Sequence, residues 1–538
     1  MNSGKNLKEI EIFNRVRFGG IEVACLYPNS YDVGMSNLGF QWLLHNLERD
    51  RRFCARRFFI GGRGEFLFSP DTDKNLSEFK YIFISISYEL DYLNLIRALK
   101  ISKIFPLSKD RKGKNILIGG GVALSINFLP VAKIFDLIVV GEGEGKLENI
   151  LNLIEDNTPY NAFMEELSKF KGRYFIPLFE ENFEKKGRII ERKFNFADEF
   201  PPFSNIVSSG MEFSNTFLVE ISRGCPTMCR FCWAGFNLLP PRNFYYKKIE
   251  KLIDLLPPEI KKVGIVSTAI FEHREIFKIL DILFKKGVNV NFSSFRLGDL
   301  NEEVFKWISR FSLKTLTIAP ETGNYSLRRK VNKNFTNEEI LEGINLAFRY
   351  GITNLKLYFL VGLPHERKED IFDIVSFVKN IRKVAQDYWS RRGFCGEIVV
   401  SINPFVPKPG TPFQYFTGLN EKNLKERISF LKSELRKIGN CKVQALGVRE
   451  SFLQWGLSFG TEKLLDLLIG EAYNFRNFKK FRNNMEFFKF GDGNFIPYGC
   501  GISEEYLLRE REKSFEGKLS SPCPFLMGVN CNRCGICK

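Results

Sequence analysis

Histidine is scarce in this 538-residue chain, with His45, His273 and His365 the only three. Imidazole is the commonest metal ligand and the commonest general base near neutral pH, so a site built on clustered histidines is excluded. No run of about 18 apolar residues occurs, as a membrane-spanning helix would require. The opening stretch MNSGKNLKEIEIFNR lacks the apolar core of a secretory signal. These absences point to a cytoplasmic protein without a membrane partner. The disorder-type bias of low apolar content is absent too, because 44% of residues are hydrophobic and 26% charged. At roughly 150 residues per domain, the length predicts about three to four domains.

Positive charge is in excess, with 79 Lys and Arg against 62 Asp and Glu and a net charge of +17, but it is spread thinly. It suits an acidic partner such as RNA without demanding one. Lys247-Lys248, Lys261-Lys262 and Arg328-Arg329-Lys330, with the aromatic-basic run 474–490, could follow a phosphate backbone and stack bases. A helix with an apolar Phe face and a solvated basic face explains that run equally well.

The first 155 residues alternate apolar strands (Ile21 to Tyr27, Tyr81 to Ser87, Asn115 to Ile118, Phe135 to Val140) with helical stretches. Unbroken apolar strands separated by helices imply a parallel sheet covered on both faces, with ligands at the strands' carboxyl ends. A G-x-G-x-x-G turn after the first strand is absent, which argues against a dinucleotide site. Residues 156–210 are polar and Phe-rich and read as a connector. A second strand-helix series covers 211–440, with strands at Thr216 to Ile221, Val263 to Thr268, Val288 to Ser293, Leu313 to Ala319, Leu355 to Val361 and Glu397 to Ile402. Its economical architecture is a six-stranded parallel partial barrel. Residues 441–538 form a basic, aromatic tail. The fold class is therefore α/β: a Rossmann-like domain, a partial (β/α)6 TIM barrel and a Cys-rich C-terminal tail.

The twelve cysteines are unevenly placed. Cys25, Cys54, Cys395 and Cys441 are scattered, whereas Cys225, Cys229 and Cys232 form one group and Cys523, Cys531, Cys534 and Cys537 another. Such groups in a large chain read as metal ligands sooner than as disulfides. C-x3-C-x2-C on one loop can hold three irons of a [4Fe-4S] cube and leave the fourth open. A zinc site would close with four ligands, and no further Cys or His lies nearby. The second group, C-x7-C-x2-C-x2-C, could ligate a second [4Fe-4S] cluster or an all-thiolate zinc. Cys500 is either an extra ligand or a buried thiol.

The motif Cys225-Pro-Thr-Met-Cys229-Arg-Phe-Cys232 after a strand resembles the radical S-adenosylmethionine (SAM) superfamily. The resemblance implies that the open iron chelates SAM and that an injected electron yields a 5'-deoxyadenosyl radical. It also implies SAM contacts at the strand ends, through Ser267 and Thr268, Ser294 and Arg296, Glu321, and Gly362 and Pro364. The N-terminal region is similar to the cobalamin-binding domain that precedes the core in one class of these enzymes. The corresponding pieces are Asn29, Tyr31 and Gly34, then Ser85 and Ser87, then Gly119, Gly120 and Gly121, with Tyr31 where the cobalt-ligating His would stand. Longer segments, among them Tyr31 to Gly39, Leu316 to Gly323 and Phe405 to Phe413, look like an uncharacterised family of B12-binding radical SAM proteins.

What the resemblance implies is cobalamin-dependent methyl transfer to an unactivated carbon, with electrons from a donor such as flavodoxin or ferredoxin. A radical rearrangement or a methylthiotransferase-like sulfur insertion without cobalamin is an alternative. A zinc-stabilised nucleic-acid-binding protein is another. No acid or base is legible, and nothing in the sequence names the substrate.

Overall fold

The computed structural model describes residues 8–49, 51–62, 64–179, 189–190, 200–416, 420–471, 488, 498–499, 501–529 and 531–537. The chain divides into two compact units. One comprises Met1–Glu220, Leu255–Ile260 and Gly456–Gly501, the other Ile221–Asp254, Lys261–Trp455 and Ile502–Lys538. Cys500 and all of the 474–490 run except Phe488 lie outside the described residues.

The first unit is built on a seven-stranded sheet in the order Phe66–Phe68, Phe53–Gly61, Ile21–Leu26, Tyr81–Ser85, Ile116–Gly120, Leu137–Val139, Tyr174–Phe175. The five inner strands run parallel and the two edge strands antiparallel. Val23, Ala24, Cys25 and Leu26 are all fully buried, as a central strand covered on both faces requires. Helices Leu38–Glu48, Asp91–Ile101 and Leu147–Glu155 present buried faces, and the first starts where the Asn37 side chain accepts from Phe40 N. The strand Ile21–Leu26 has its successor in sequence on one side and the later strands on the other. Its carboxyl end is thus a topological switch point, where such sheets bind ligands.

Within 156–210 the helix Tyr160–Ser168 buries Phe163, Met164 and Leu167, Tyr174–Phe175 closes one sheet edge, and Ile206–Ser208 pairs with Glu9–Glu11. The segment after 456 also belongs to this unit: Asn127 Nδ2 donates to Gly460 O at 2.8 Å and Ser458 Oγ to Glu89 Oε1 at 2.8 Å.

In the second unit six parallel strands follow one another in chain order. Lys262–Val266 pairs with Asn289–Phe292, and a parallel bridge Phe295–Ile318 leads to Thr315–Glu321, Asn354–Val361, Ile398–Pro404 and Cys441–Ala445. Helices connect them, among them Ile276–Lys285, Asn337–Arg349, Lys368–Arg392 and Glu421–Arg436. Strict alternation in Asn354–Val361 buries Leu355, Leu357, Phe359 and Val361 while their neighbours are half-exposed. Cys441–Ala445 adds a strand beyond those read from the sequence. Among the described residues no helix is long and apolar enough to cross a membrane.

Candidate metal and cofactor site

The cysteine loop of the second unit starts at Gly224, whose φ of +80° and whose distance of 2.3 Å from a Cβ position to Leu238 O leave room for glycine alone. Two of the three thiols flank the Thr227 side chain, whose Oγ1 lies 3.0 Å from Cys225 Sγ and 3.9 Å from Cys229 Sγ. Cys232 N donates to Cys229 O at 2.8 Å, and Cys232 caps the short helix Trp233–Asn237. Burial pushes the Cys232 thiol up to about 12, helped by Cys229 and Cys225, and burial raises Cys229 as well. Thiols this reluctant to ionise become thiolates when a cation binds them.

The loop is braced from several directions. Ser267 Oγ lies 2.6 Å from Ser222 Oγ, and Thr268 Oγ1 donates to Gly224 O at 2.6 Å, so these two strand-end residues hold the loop's entry. Asn332, at φ +65°, donates from Nδ2 to Thr227 O at 3.0 Å and to Met228 O at 3.3 Å. Arg230 is fully buried and pairs with Glu510 at 3.2 Å, with further bonds to Lys330 O at 2.9 Å and Lys518 O at 2.6 Å. Ser520 N donates to Asn332 Oδ1 at 2.9 Å, and Cys523 N to Pro226 O at 2.8 Å. The cysteine-rich tail is thereby packed on the loop itself.

Charge is arranged around the thiols. Arg296 uses Nη2 on Glu272 and on Asp299, the latter at 3.1 Å, while its Nε and Nη1 are buried and have no hydrogen-bond partner among the described residues. Burial opposes its charge, but Asp299 and Glu272 hold it above its ordinary value, and the field of Cys225 reaches it. Half of a guanidinium left unpaired beside the loop fits the carboxylate of an amino-acid ligand such as SAM. Glu321, at φ +66° on an irregularity of its strand, accepts from Lys333 Nζ at 2.7 Å. Lys333 also donates to Ala319 O at 2.9 Å and lies 6.0 Å from the Phe231 ring. Burial works against the Lys333 ammonium, yet Glu321, Cys229 and Cys232 raise it on balance. Gly362 N donates to both Glu366 oxygens at 3.0 Å, Pro364 is buried and Ser294 is exposed.

Lys333, Asn332 and the Arg230–Glu510 pair were not legible as functional residues. The basic stretch Arg328-Arg329-Lys330 is no open phosphate track. Arg328 is fully buried, donating to Pro320 O at 3.2 Å and Thr322 O at 2.8 Å, and Arg329 donates to Gly517 O at 3.2 Å. His365 is pushed down to about 4 by burial and by Lys330 and Arg511, so it stands neutral against Ser514 Oγ at 3.2 Å. Among the described residues no three Cys, His, Asp or Glu side chains converge as ligands of a single ion. A four-iron cube takes one thiolate per iron and needs no such convergence.

In the first unit the residues marked from the sequence gather at the sheet's carboxyl edge. Asn29 Nδ2 donates to Asp91 Oδ1 at 2.9 Å, and Asn37 Nδ2 to Ser87 Oγ at 2.9 Å. Ser85 is buried in register with Gly120. Burial raises Asp91 to about 6. Tyr31 turns the other way: it is 6% exposed, stacks edge-on against Phe59 and donates to Glu9 Oε1 at 2.5 Å. Glu9 belongs to a buried network in which Arg57 pairs with it at 2.8 Å and with Asp71 at 2.7 Å, and Arg15 pairs with Asp71 at 2.7 Å and Glu48 at 2.7 Å. A phenol so engaged does not ligate a metal above the edge. Gly34 and Gly119 are filled over by the Phe59 and Phe135 rings, and Gly121, at φ +112°, by Ile86 O. Gly120 alone of the triplet has room for a Cβ, which would meet only Val139 Cβ at 4.0 Å, and Tyr88 and Val122 are exposed nearby in the sequence. This edge offers polar strand-end groups to a ligand, and no side-chain ligand from Tyr31.

Comparison with known proteins matches residues 39–177 to the family of radical SAM proteins, N-terminal, and residues 219–378 to the radical SAM superfamily. The radical SAM match thus covers residues 219–378, the part of the chain that holds the three-cysteine loop. An uncharacterized protein of Methanocaldococcus jannaschii, MJ0966, is 29% identical over 452 residues, covering 82% of this chain and 89% of that protein. Among solved structures, the radical S-adenosylmethionine methyltransferase TsrM from Kitasatospora setae, with cobalamin and a [4Fe-4S] cluster bound, superposes with a TM-score of 0.50 at 11% identity, covering 73% of this chain and 74% of that one. The cobalamin-dependent S-adenosylmethionine radical enzyme OxsB, with aqua-cobalamin and SAM bound, gives a TM-score of 0.50 at 15% identity, covering 87% of this chain and 71% of that one. At these identities the likeness is one of fold.

Proposed function

We propose that this chain is a radical SAM enzyme that transfers a methyl group, with the help of cobalamin, to an unactivated carbon. The observation that carries the reading is the three-cysteine loop, with the Cys225 and Cys229 thiols on either side of Thr227, beside a guanidinium with two buried donors that have no partner among the described residues. When bound, a reduced [4Fe-4S] cluster supplies the electron that cleaves SAM to methionine and a 5'-deoxyadenosyl radical, and methylcobalamin supplies the methyl group. The chain's own work is orientation and exclusion of water. Cys225, Cys229 and Cys232 hold the cluster, and Arg296 receives the SAM carboxylate. Ser267 and Thr268 fix the loop, and Lys333 fixes Glu321 beside it.

The reading takes the second unit as a partial barrel, supported by parallel strands in chain order, and the first as a Rossmann-like cobalamin domain, supported by its switch-point edge. The cobalamin bound in TsrM and OxsB supports the same assignment. Because Tyr31 is committed to Glu9, this chain offers no lower ligand from that position. A flavodoxin or ferredoxin would deliver the electron.

The test is anaerobic turnover with methyl-deuterated SAM on protein produced with cobalamin. Methyl transfer requires two SAM-derived products, 5'-deoxyadenosine and S-adenosylhomocysteine, and one cobalt per chain. Formation of 5'-deoxyadenosine without S-adenosylhomocysteine, on cobalt-free protein, would leave radical chemistry and remove methyl transfer.

A further inference from the structure

We propose that Cys523, Cys531, Cys534 and Cys537 hold a second [4Fe-4S] cluster that passes electrons to the cluster held by Cys225, Cys229 and Cys232. The inference rests on the reading of those three cysteines as cluster ligands and adds a site that they do not need for SAM binding.

The two parts of the tail set, Cys523 and the Cys531 to Cys537 turn, are tied to each other through backbone carbonyls. Cys523 and Cys534 are buried, and Cys531 and Cys537 are partly covered. Arg533, between Cys531 and Cys534, donates from Nη1 to Ser521 O at 3.2 Å and from Nη2 to Pro522 O at 2.7 Å, which ties the C-x2-C-x2-C turn to the chain directly before Cys523.

The sequence of ligands selects iron-sulfur over zinc. Cys531-x2-Cys534-x2-Cys537 with a separate Cys523-Pro524 contains both parts of the bacterial ferredoxin set, the C-x2-C-x2-C run and the remote Cys-Pro. Zinc sites ordinarily divide their ligands into two pairs instead.

Position supplies the role. Cys523 N donates to Pro226 O at 2.8 Å, and Pro226 directly follows Cys225, so one hydrogen bond joins the backbone of a ligand in one group to that beside a ligand in the other. Tyr506 Oη lies 3.6 Å from Met228 Sδ inside the first loop, and the Tyr506 helix is tied to the second group by Ser503 N donating to Cys534 O at 2.9 Å. In the relay, one electron from a protein donor of the ferredoxin or flavodoxin class reduces the tail cluster. The same electron then moves to the first cluster and returns the tail cluster to its oxidised state, with no bond made or broken.

The experiment uses full-length protein purified without oxygen, with iron, sulfide and zinc counted per chain and the reduced clusters followed by EPR. The wild type is expected to hold about eight irons and no stoichiometric zinc, since each cube carries four. A Cys225→Ala, Cys229→Ala, Cys232→Ala triple variant should keep about four irons, in a cluster whose EPR signal ignores SAM. That variant leaves the tail sequence intact, so absence of iron from it overturns the proposal whatever the stability of a tail mutant. A Cys531→Ser, Cys534→Ser variant should keep the SAM-responsive signal, while reduction of that cluster by reduced flavodoxin slows by at least an order of magnitude. Zinc in place of the second four irons, or an unchanged reduction rate, would overturn it. Loss of the SAM-responsive signal from the wild type would instead refute the reading of the first site.

Discussion

Replacing Glu510 by alanine strands a buried guanidinium. Arg230 is fully buried and Glu510 nearly so, with the pair at 3.2 Å in the middle of the contact between the cysteine loop and the tail. Glu510 also accepts from Ser520 Oγ at 2.6 Å and Lys513 Nζ at 2.8 Å, which together hold its carboxyl below its ordinary value despite burial. Breaking a buried pair from one side costs about 3–5 kcal/mol. Arg230 would keep its bonds to the carbonyls of Arg329, Lys330 and Lys518, so the lower end, about 3 kcal/mol, is expected. In thermal unfolding of the anaerobic protein this corresponds to a loss of about 6–12 °C. Glu510→Gln, which keeps the shape and part of the hydrogen bonding, should lose less. The double change Arg230→Met, Glu510→Leu should recover part of the loss because no charge is left buried. A Glu510→Ala protein within about 0.5 kcal/mol of wild type would refute the reasoning, since the pair would then not hold the tail to the loop.

Arg296→Met removes the unpaired donors and should weaken SAM binding by about ten- to a hundredfold, one to two charge-assisted bonds' worth, with iron content unchanged; equilibrium dialysis without oxygen measures it. Lys333→Met withdraws the cation beside Cys229 and Cys232 and should lower the midpoint potential of that cluster by on the order of 100 mV, read by EPR-monitored titration. Burial pushes Glu366 up to about 7 against the opposing pull of Gly362 N and Arg427. The folded state therefore holds this proton more tightly than the unfolded one. Its contribution, about 3 kcal/mol, is complete below the ordinary carboxylate range and is lost as pH rises to about 7. Urea unfolding of Glu366→Gln should consequently gain on the wild type between pH 5 and 7.5, and parallel stability curves would contradict the assignment.

The cysteine loop stands out in the sequence because its spacing is local, whereas Ser267, Thr268, Arg296 and Glu321 were marked through the family resemblance; the structure sets them at or just beyond strand ends of one unit. The braces were not legible, because their partners lie far apart in sequence: Arg230 meets Glu510 across 280 residues, and Ser520 meets Asn332 across 188. A signal existed in the arginine set between two cysteines, a costly residue to bury without a dedicated partner. Arg328 misled in the other direction, since a run of three basic residues looks like a solvated face until its carbonyl partners are seen. Cys441–Ala445 escaped because Lys442 and Gln444 alternate with Cys441, Val443 and Ala445 over only five residues, too short for a clear period. Tyr31 opens the short helix Tyr31–Met35 after the strand Ile21–Leu26, and the buried Glu9–Arg57–Asp71 network that captures it is assembled from three separate segments.

The central claim, that Cys225, Cys229 and Cys232 support reductive cleavage of SAM, is tested most directly by measuring 5'-deoxyadenosine after anaerobic reduction of the iron-loaded protein with SAM present. The account predicts its formation by the wild type and its abolition in Cys229→Ala with the tail cysteines intact. No product from wild-type protein whose cluster is reduced, or equal product from the variant, would contradict it.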